Sequence, residues 1–72
     1  MKIRNVTNSI KDLRYNNDNM TQQSLADLVG CSRQTINALE KNRYSPSYIL
    51  VKKIATVFNV STDDVVLVEL EE

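Results

Sequence analysis

Arg33, Gln34, Asn37 and Lys41 are the side chains best suited to chemistry with a partner. Arg can donate two hydrogen bonds to guanine, Gln or Asn can pair with adenine, and Lys can meet a guanine or a phosphate. Their spacing suits one face of one helix. At 100° per residue, setting Ile36 and Leu39 inward turns Gln34, Asn37, Ala38 and Lys41 outward, with Arg33 on the flank. No acid falls on that face, whereas an ordinary solvated face usually mixes in Glu or Asp. Ser32 stands just before it as an N-cap, aiming the partly positive helix end the same way. The chemistry implied is contact with base edges and phosphates.

Catalysis has no comparable constellation. Without His there is no imidazole base, no His-bearing triad and no His-ligated metal. One Cys excludes an internal disulfide or a zinc knuckle, and one Gly excludes a Gly-rich phosphate loop. Asp63-Asp64 follows Ser61 and reads as a first-turn dipole device rather than a metal or acid/base pair. Cys31 reads as a small buried hydrophobe rather than a redox switch. No enzymatic activity, metal or cofactor is expected.

The elements that must position the outward face are short helices. Thr21 caps a helix with Leu25, Ala26 and Val29 on its buried side, and Gly30 ends it. The next helix begins after Ser32. Two helices joined so tightly cross closely. Ala26 supplies the small residue at the crossing, Gly30 the turn with positive φ, and Ile36 and Leu39 the anchors. The spacing predicts a helix-turn-helix over about 22–41, with its outward helix over about 33–41.

Further helices flank this pair. Ile10, Leu13 and Arg14 share a face, with Thr7 or Asn8 as the expected N-cap and Asn16 to Asn19 as the stop. Pro46-Ser47 opens a helix carrying Leu50, Val51, Ile54, Ala55 and Phe58. Asn59 closes it, and Ser61 caps a fifth. Asn19, Asn42 and Asn59 stand where left-handed backbone is needed and substitute for glycine. From Val65 to Glu72 the pattern turns to period two, so the tail and Met1 to Val6 are expected to pair as strands.

The run Thr21-Gln22, Leu25-Ala26, Val29-Gly30, Ser32 to Asn37 and Leu39 to Tyr44 resembles the Cro/C1-type (XRE) helix-turn-helix regulators. The resemblance continues through Lys53 to Ser61 and covers about residues 9–65. It implies an all-α, five-helix, lambda-repressor-like domain over 1–72, with a possible short pairing of terminal strands. It implies that the third helix is the recognition helix and that Gln22 touches a phosphate. It also implies that Arg14 forms a buried pair with Glu40. The candidate DNA contacts become Thr21, Gln22, Ser32, Arg33, Gln34, Thr35, Asn37, Ala38, Lys41, Arg43 and Tyr44. Arg14, Ala26, Gly30, Ile36, Leu39 and Glu40 take structural roles. Three departures stand out: an Arg14 to Gln22 spacing one residue long, Cys31 at an aliphatic site, and Asn42 at a common Gly.

The 72 residues suit one domain, and the 42% hydrophobic and 25% charged fractions suit a folded one. A formal net charge of zero conceals a split. Residues 1–45 carry seven Lys/Arg and four acids, net +3, and residues 46–72 carry two and five, net −3. That asymmetry suits a polyanion bound on one side, with Glu69, Glu71 and Glu72 pointing away from it. The longest apolar run, Val65 to Val68, falls far short of the ~20 residues of a membrane span. Met1-Lys2-Ile3-Arg4 leads into polar residues, not a secretory signal. The expectation is a soluble, cytoplasmic regulator, most simply a repressor, binding double-stranded DNA as a homodimer. Apolar residues past Val60 supply the association surface, with Val65 and Leu67 expected near the two-fold axis. The alternative is an antitoxin-type module that binds a protein toxin and autoregulates its operon.

Overall fold

The computed structural model describes residues 1–71, in the order β1 (Lys2–Asn8), α1 (Ile10–Asn16), α2 (Gln22–Val29), α3 (Arg33–Glu40), α4 (Tyr48–Phe58), α5 (Thr62–Val65) and β2 (Val66–Glu71). Glu72 lies outside the described residues. Four helices start on a hydroxyl. Thr21 Oγ1 accepts from Ser24 N at 3.0 Å, Ser32 Oγ from Thr35 N at 3.1 Å, and Ser47 Oγ from Leu50 N at 3.1 Å. Ser61 forms a capping box, in which Asp64 Oδ2 accepts from Ser61 N at 3.1 Å. Asp64 thus serves its helix end, as its position after Ser61 predicts.

The first helix departs from expectation. Thr7 and Asn8 are strand residues paired with Leu67 and Val66, so neither is the N-cap. Ser9 takes that place without a side-chain bond, and its N–H donates to Val65 O at 2.9 Å. Asn8 still serves the helix end from within the strand, since its Oδ1 accepts from Ile10 N at 3.3 Å.

The helix ends are left-handed. Gly30 has φ 77°, Asn42 55° and Asn59 54°. After α3, Arg43 N donates to Ala38 O at 2.9 Å and Asn42 N to Leu39 O at 3.0 Å, a Schellman pair. In the α1–α2 loop both Asp18 (φ 58°) and Asn19 (φ 54°) are left-handed. The long Arg14 to Gln22 spacing is taken up there.

Ile10, Leu25, Ala26, Val29, Ile36, Leu39, Val51, Ile54, Ala55 and Val65 form the core. Leu25, Ala26, Ile36 and Ile54 have no exposed surface, so the α2–α3 crossing rests on the small side chain and the anchors predicted for it. Among the described residues no helix is long and apolar enough to cross a membrane.

β1 and β2 pair antiparallel, which makes "all-α" too narrow a label for this chain. Ile3 faces Leu70, Val6 faces Val68 and Asn8 faces Val66, with an irregularity between Ile3 and Asn5. Because side chains alternate along a strand, Val66, Val68 and Leu70 share a face with Ile3, Val6 and Asn8. Val66 packs against the core, while Ile3, Val6, Val68 and Leu70 stay exposed. The opposite face carries Thr7 with Leu67, Asn5 with Glu69 and Lys2 with Glu71.

This overturns part of the expected association surface. Val65 is 1% exposed and belongs to the protomer's own core, so its side chain has no surface to give a partner. Its burial follows from its place as the last residue of α5, next to Ile10 of α1 in one cluster. Leu67 is exposed, but its cross-strand partner is Thr7 and it is not part of the apolar set.

Candidate nucleic-acid interface

α3 is set on the core by Ile36 and Leu39, which turns its remaining sides out. Ser32, Arg33, Gln34 and Lys41 are exposed, and Thr35, Asn37 and Ala38 are half-buried. Thr35 Oγ1 lies 2.9 Å from Ser32 Oγ, so that hydroxyl joins the cap. Lys41 is the C-cap of the helix, which therefore ends one residue before the expected boundary. Arg43 and Tyr44 are exposed just beyond it.

Behind this face lies an ion pair. Arg14 Nε donates to Glu40 Oε2 at 2.7 Å and Nη2 to Oε1 at 2.8 Å, with both side chains nearly buried. Arg14 Nη1 donates to Met20 O at 2.8 Å, tying in the α1–α2 loop. The hydrogen bond that Arg14 donates to Glu40 raises the guanidinium pKa above its ordinary value, against the opposing effect of burial. Tyr15 lies against the group, its ring centre 5.1 Å from Arg14 Cζ and 5.6 Å from Lys11 Nζ.

The pair reaches the outward face through Gln22. Its Nε2 donates to Glu40 Oε1 and to Asn37 Oδ1, both at 3.3 Å. Lys11, Arg33 and Lys41 line the same cleft between α1, α2 and α3. With Arg14 neutralised by Glu40, the cleft keeps a positive balance suited to a phosphate backbone. Among the described residues no three His, Cys, Asp or Glu side chains gather where a metal ion could be held.

Two participants were missed in the sequence. Asn8 Nδ2 donates to Leu39 O at 3.0 Å and to Asn42 Oδ1 at 2.8 Å, bracing the end of α3. No local pattern signals a bond across more than thirty residues. Lys11 could have been found, since four residues before Tyr15 it shares that side of α1.

Cys31 packs half-buried against the core, and Sγ lies 3.6 Å from Ser32 O. Burial pushes its thiol pKa up, with Lys53 opposing. The thiolate is the reactive form. At pH 7, Cys31 should therefore alkylate with iodoacetamide more slowly in the folded chain than in urea at the same pH. An equal or faster rate in the folded chain would contradict this placement.

The family described as Helix-turn-helix matches residues 10–65. An uncharacterized HTH-type transcriptional regulator of Archaeoglobus fulgidus is 50% identical over 54 residues, 75% of this chain and 76% of that protein. A similarly named protein of Methanocaldococcus jannaschii is 48% identical over 54 residues, 75% of this chain and 82% of its own. The uncharacterized HTH-type transcriptional regulator YgzD of Bacillus subtilis is 39% identical over 64 residues, 89% of this chain and 96% of its own.

Proposed function

This chain belongs to the Cro/C1-type (XRE) helix-turn-helix transcriptional regulators, and from that membership we propose that it is a homodimeric repressor whose α3 enters the major groove. In this reading α2 and α3, about residues 22–41, form the reading unit of one domain over 1–72. One observation carries it. The outward face of α3 holds Arg33, Gln34, Asn37 and Lys41, while its single acid, Glu40, is turned inward onto Arg14. That leaves donors for base edges and cations for phosphates on one surface.

Thr21, Ser32, Thr35, Ala38, Arg43 and Tyr44 flank these residues as further contacts. Both amide hydrogens of Gln22 are engaged. A phosphate at that helix end therefore meets the free backbone N–H groups of the first turn of α2 rather than the side chain.

Dimerism is supported by the apolar face of the sheet. Ile3 is 65% exposed, Val68 47% and Leu70 50%, and they adjoin as cross-strand or same-face neighbours. A second copy covering this face would present two recognition helices to half-sites about one helical turn apart, ~34 Å. Occupying such an operator blocks polymerase sterically, which is the repression proposed.

The test is selection of bound duplexes from a random pool. Gln34→Ala should relax preference at one operator position, at a cost of about 1–3 kcal/mol, and leave the melting temperature intact. Unchanged base discrimination in Gln34→Ala, with Asn37→Ala equally silent, would remove α3 from the reading role.

A further inference from the structure

We propose that the buried Arg14–Glu40 pair sets the hydrogen-bond polarity of the reading face, through Gln22, so that Asn37 addresses its base as a donor. The inference rests on α3 being the recognition helix and goes beyond it, because it names which base chemistry Asn37 selects.

The polarity propagates from one end. Arg14 offers only donors. Glu40 answers with both carboxylate oxygens, Oε2 at 2.7 Å from Nε and Oε1 at 2.8 Å from Nη2. Oε1 also lies 3.3 Å from the Gln22 amide. A carboxylate oxygen accepts and does not donate, so the Gln22 group facing it has to be Nε2. An amide nitrogen carries two hydrogens, and the second points to Asn37, whose Oδ1 is 3.3 Å away. Asn37 thus turns its oxygen toward α2. The nitrogen Nδ2 is left as the free group of a half-buried side chain on the outward side of α3.

A free asparagine can rotate its amide and serve either base type. One held by its oxygen presents N–H groups and favours an edge of acceptors. In the major groove that edge is guanine, with N7 and O6 side by side. Gln22 is therefore a positioning residue for specificity, and Glu40 acts one step behind it.

The experiment compares duplex selection by the wild-type chain, Asn37→Ala, Gln22→Met and Gln22→Glu, each with its melting curve. Asn37→Ala locates the position that Asn37 reads. There the wild type should prefer guanine about tenfold. Gln22→Met frees the amide, so the preference should fall to roughly twofold or less at that position and persist elsewhere. Glu at 22 supplies acceptors alone, which turns Nδ2 inward and Oδ1 outward. Gln22→Glu should then shift selection toward a base that presents an amino group, cytosine or adenine. Gln22→Met carries the test by itself if the charged variant fails to fold. The proposal is overturned if Gln22→Met weakens every duplex by one factor and leaves all preferences intact. It is equally overturned if the wild type selects a donor edge at the Asn37 position. Silence of Asn37→Ala and Gln34→Ala at every position is a different result, and it removes the reading role of α3 itself.

Discussion

Glu40→Ala should lower the stability of the folded chain by about 3–5 kcal/mol, although Glu40 lies on the far side of the proposed reading face. Arg14 is only 5% exposed, and three of its nitrogens donate to Glu40 or to Met20 O. Removing the carboxylate leaves a buried guanidinium with one partner and frees the Gln22 amide as well. For a domain of this size each kcal/mol moves the melting temperature by about 4–8 °C, so the expected fall is roughly 12–40 °C. Arg14→Met combined with Glu40→Leu should recover most of it, because no charge is then stranded. Recovery stops short of complete, since Met20 O loses its donor at a cost of about 1 kcal/mol. A thermal melt of the three proteins checks this. An unchanged melting temperature for Glu40→Ala would mean that solvent already screens the pair.

Val65→Glu and Val68→Glu should fail in opposite ways. Val65 has 1% of its surface exposed and belongs to the cluster of apolar side chains that forms the core. A carboxylate there has no partner, and its desolvation exceeds what a small domain's stability can offset, so Val65→Glu should not fold. Val68 is 47% exposed beside Val6, and a carboxylate there stays in water within one protomer. Val68→Glu should fold with the wild-type circular dichroism spectrum, melt lower only by the lost dimer stabilisation, sediment as a monomer and bind operator weakly. Leu67→Glu, placed on the opposite sheet face beside Thr7, should leave the dimer intact. Circular dichroism separates the first outcome from the second, and sedimentation separates Val68→Glu from Leu67→Glu. A wild-type chain still monomeric at hundreds of micromolar would overturn the constitutive dimer.

The contrast between Val65 and Leu67 shows where sequence reading ended. The sequence places both near a two-fold axis, because apolar residues past Val60 outnumber what a short fifth helix can cover. The count is sound, but Val65 is buried in the protomer's own core, while Leu67 remains exposed. Hydropathy does not distinguish a valine that closes its own core from one that a partner must cover. The end of α5 settles that for Val65, and the pairing of β2 with β1 settles the face on which Leu67 stands. The same pairing made Asn8 a strand residue, with Ser9 at the N-cap position and only the Asn8 side chain reaching Ile10 N.

What the sequence determined by itself was local. A hydroxyl at Thr21, Ser32, Ser47 or Ser61 finds its N–H three residues on, whatever the rest of the chain does. Gly30, which has no Cβ, and Asn42 and Asn59, whose short polar side chains suit it, tolerate left-handed backbone, so helix ends are readable. The 3.6-residue period fixed which side of α3 is buried and hence which side is offered. The Arg14–Glu40 pair, twenty-six residues apart, came from family resemblance rather than from any spacing. Only the tertiary structure decided how far that pair reaches. Hydrogen-bond direction passes from Arg14 to Asn37 through atoms that three helices, α1, α2 and α3, bring together. A sequence records donors and acceptors residue by residue, but which one faces which is a property of the packed chain.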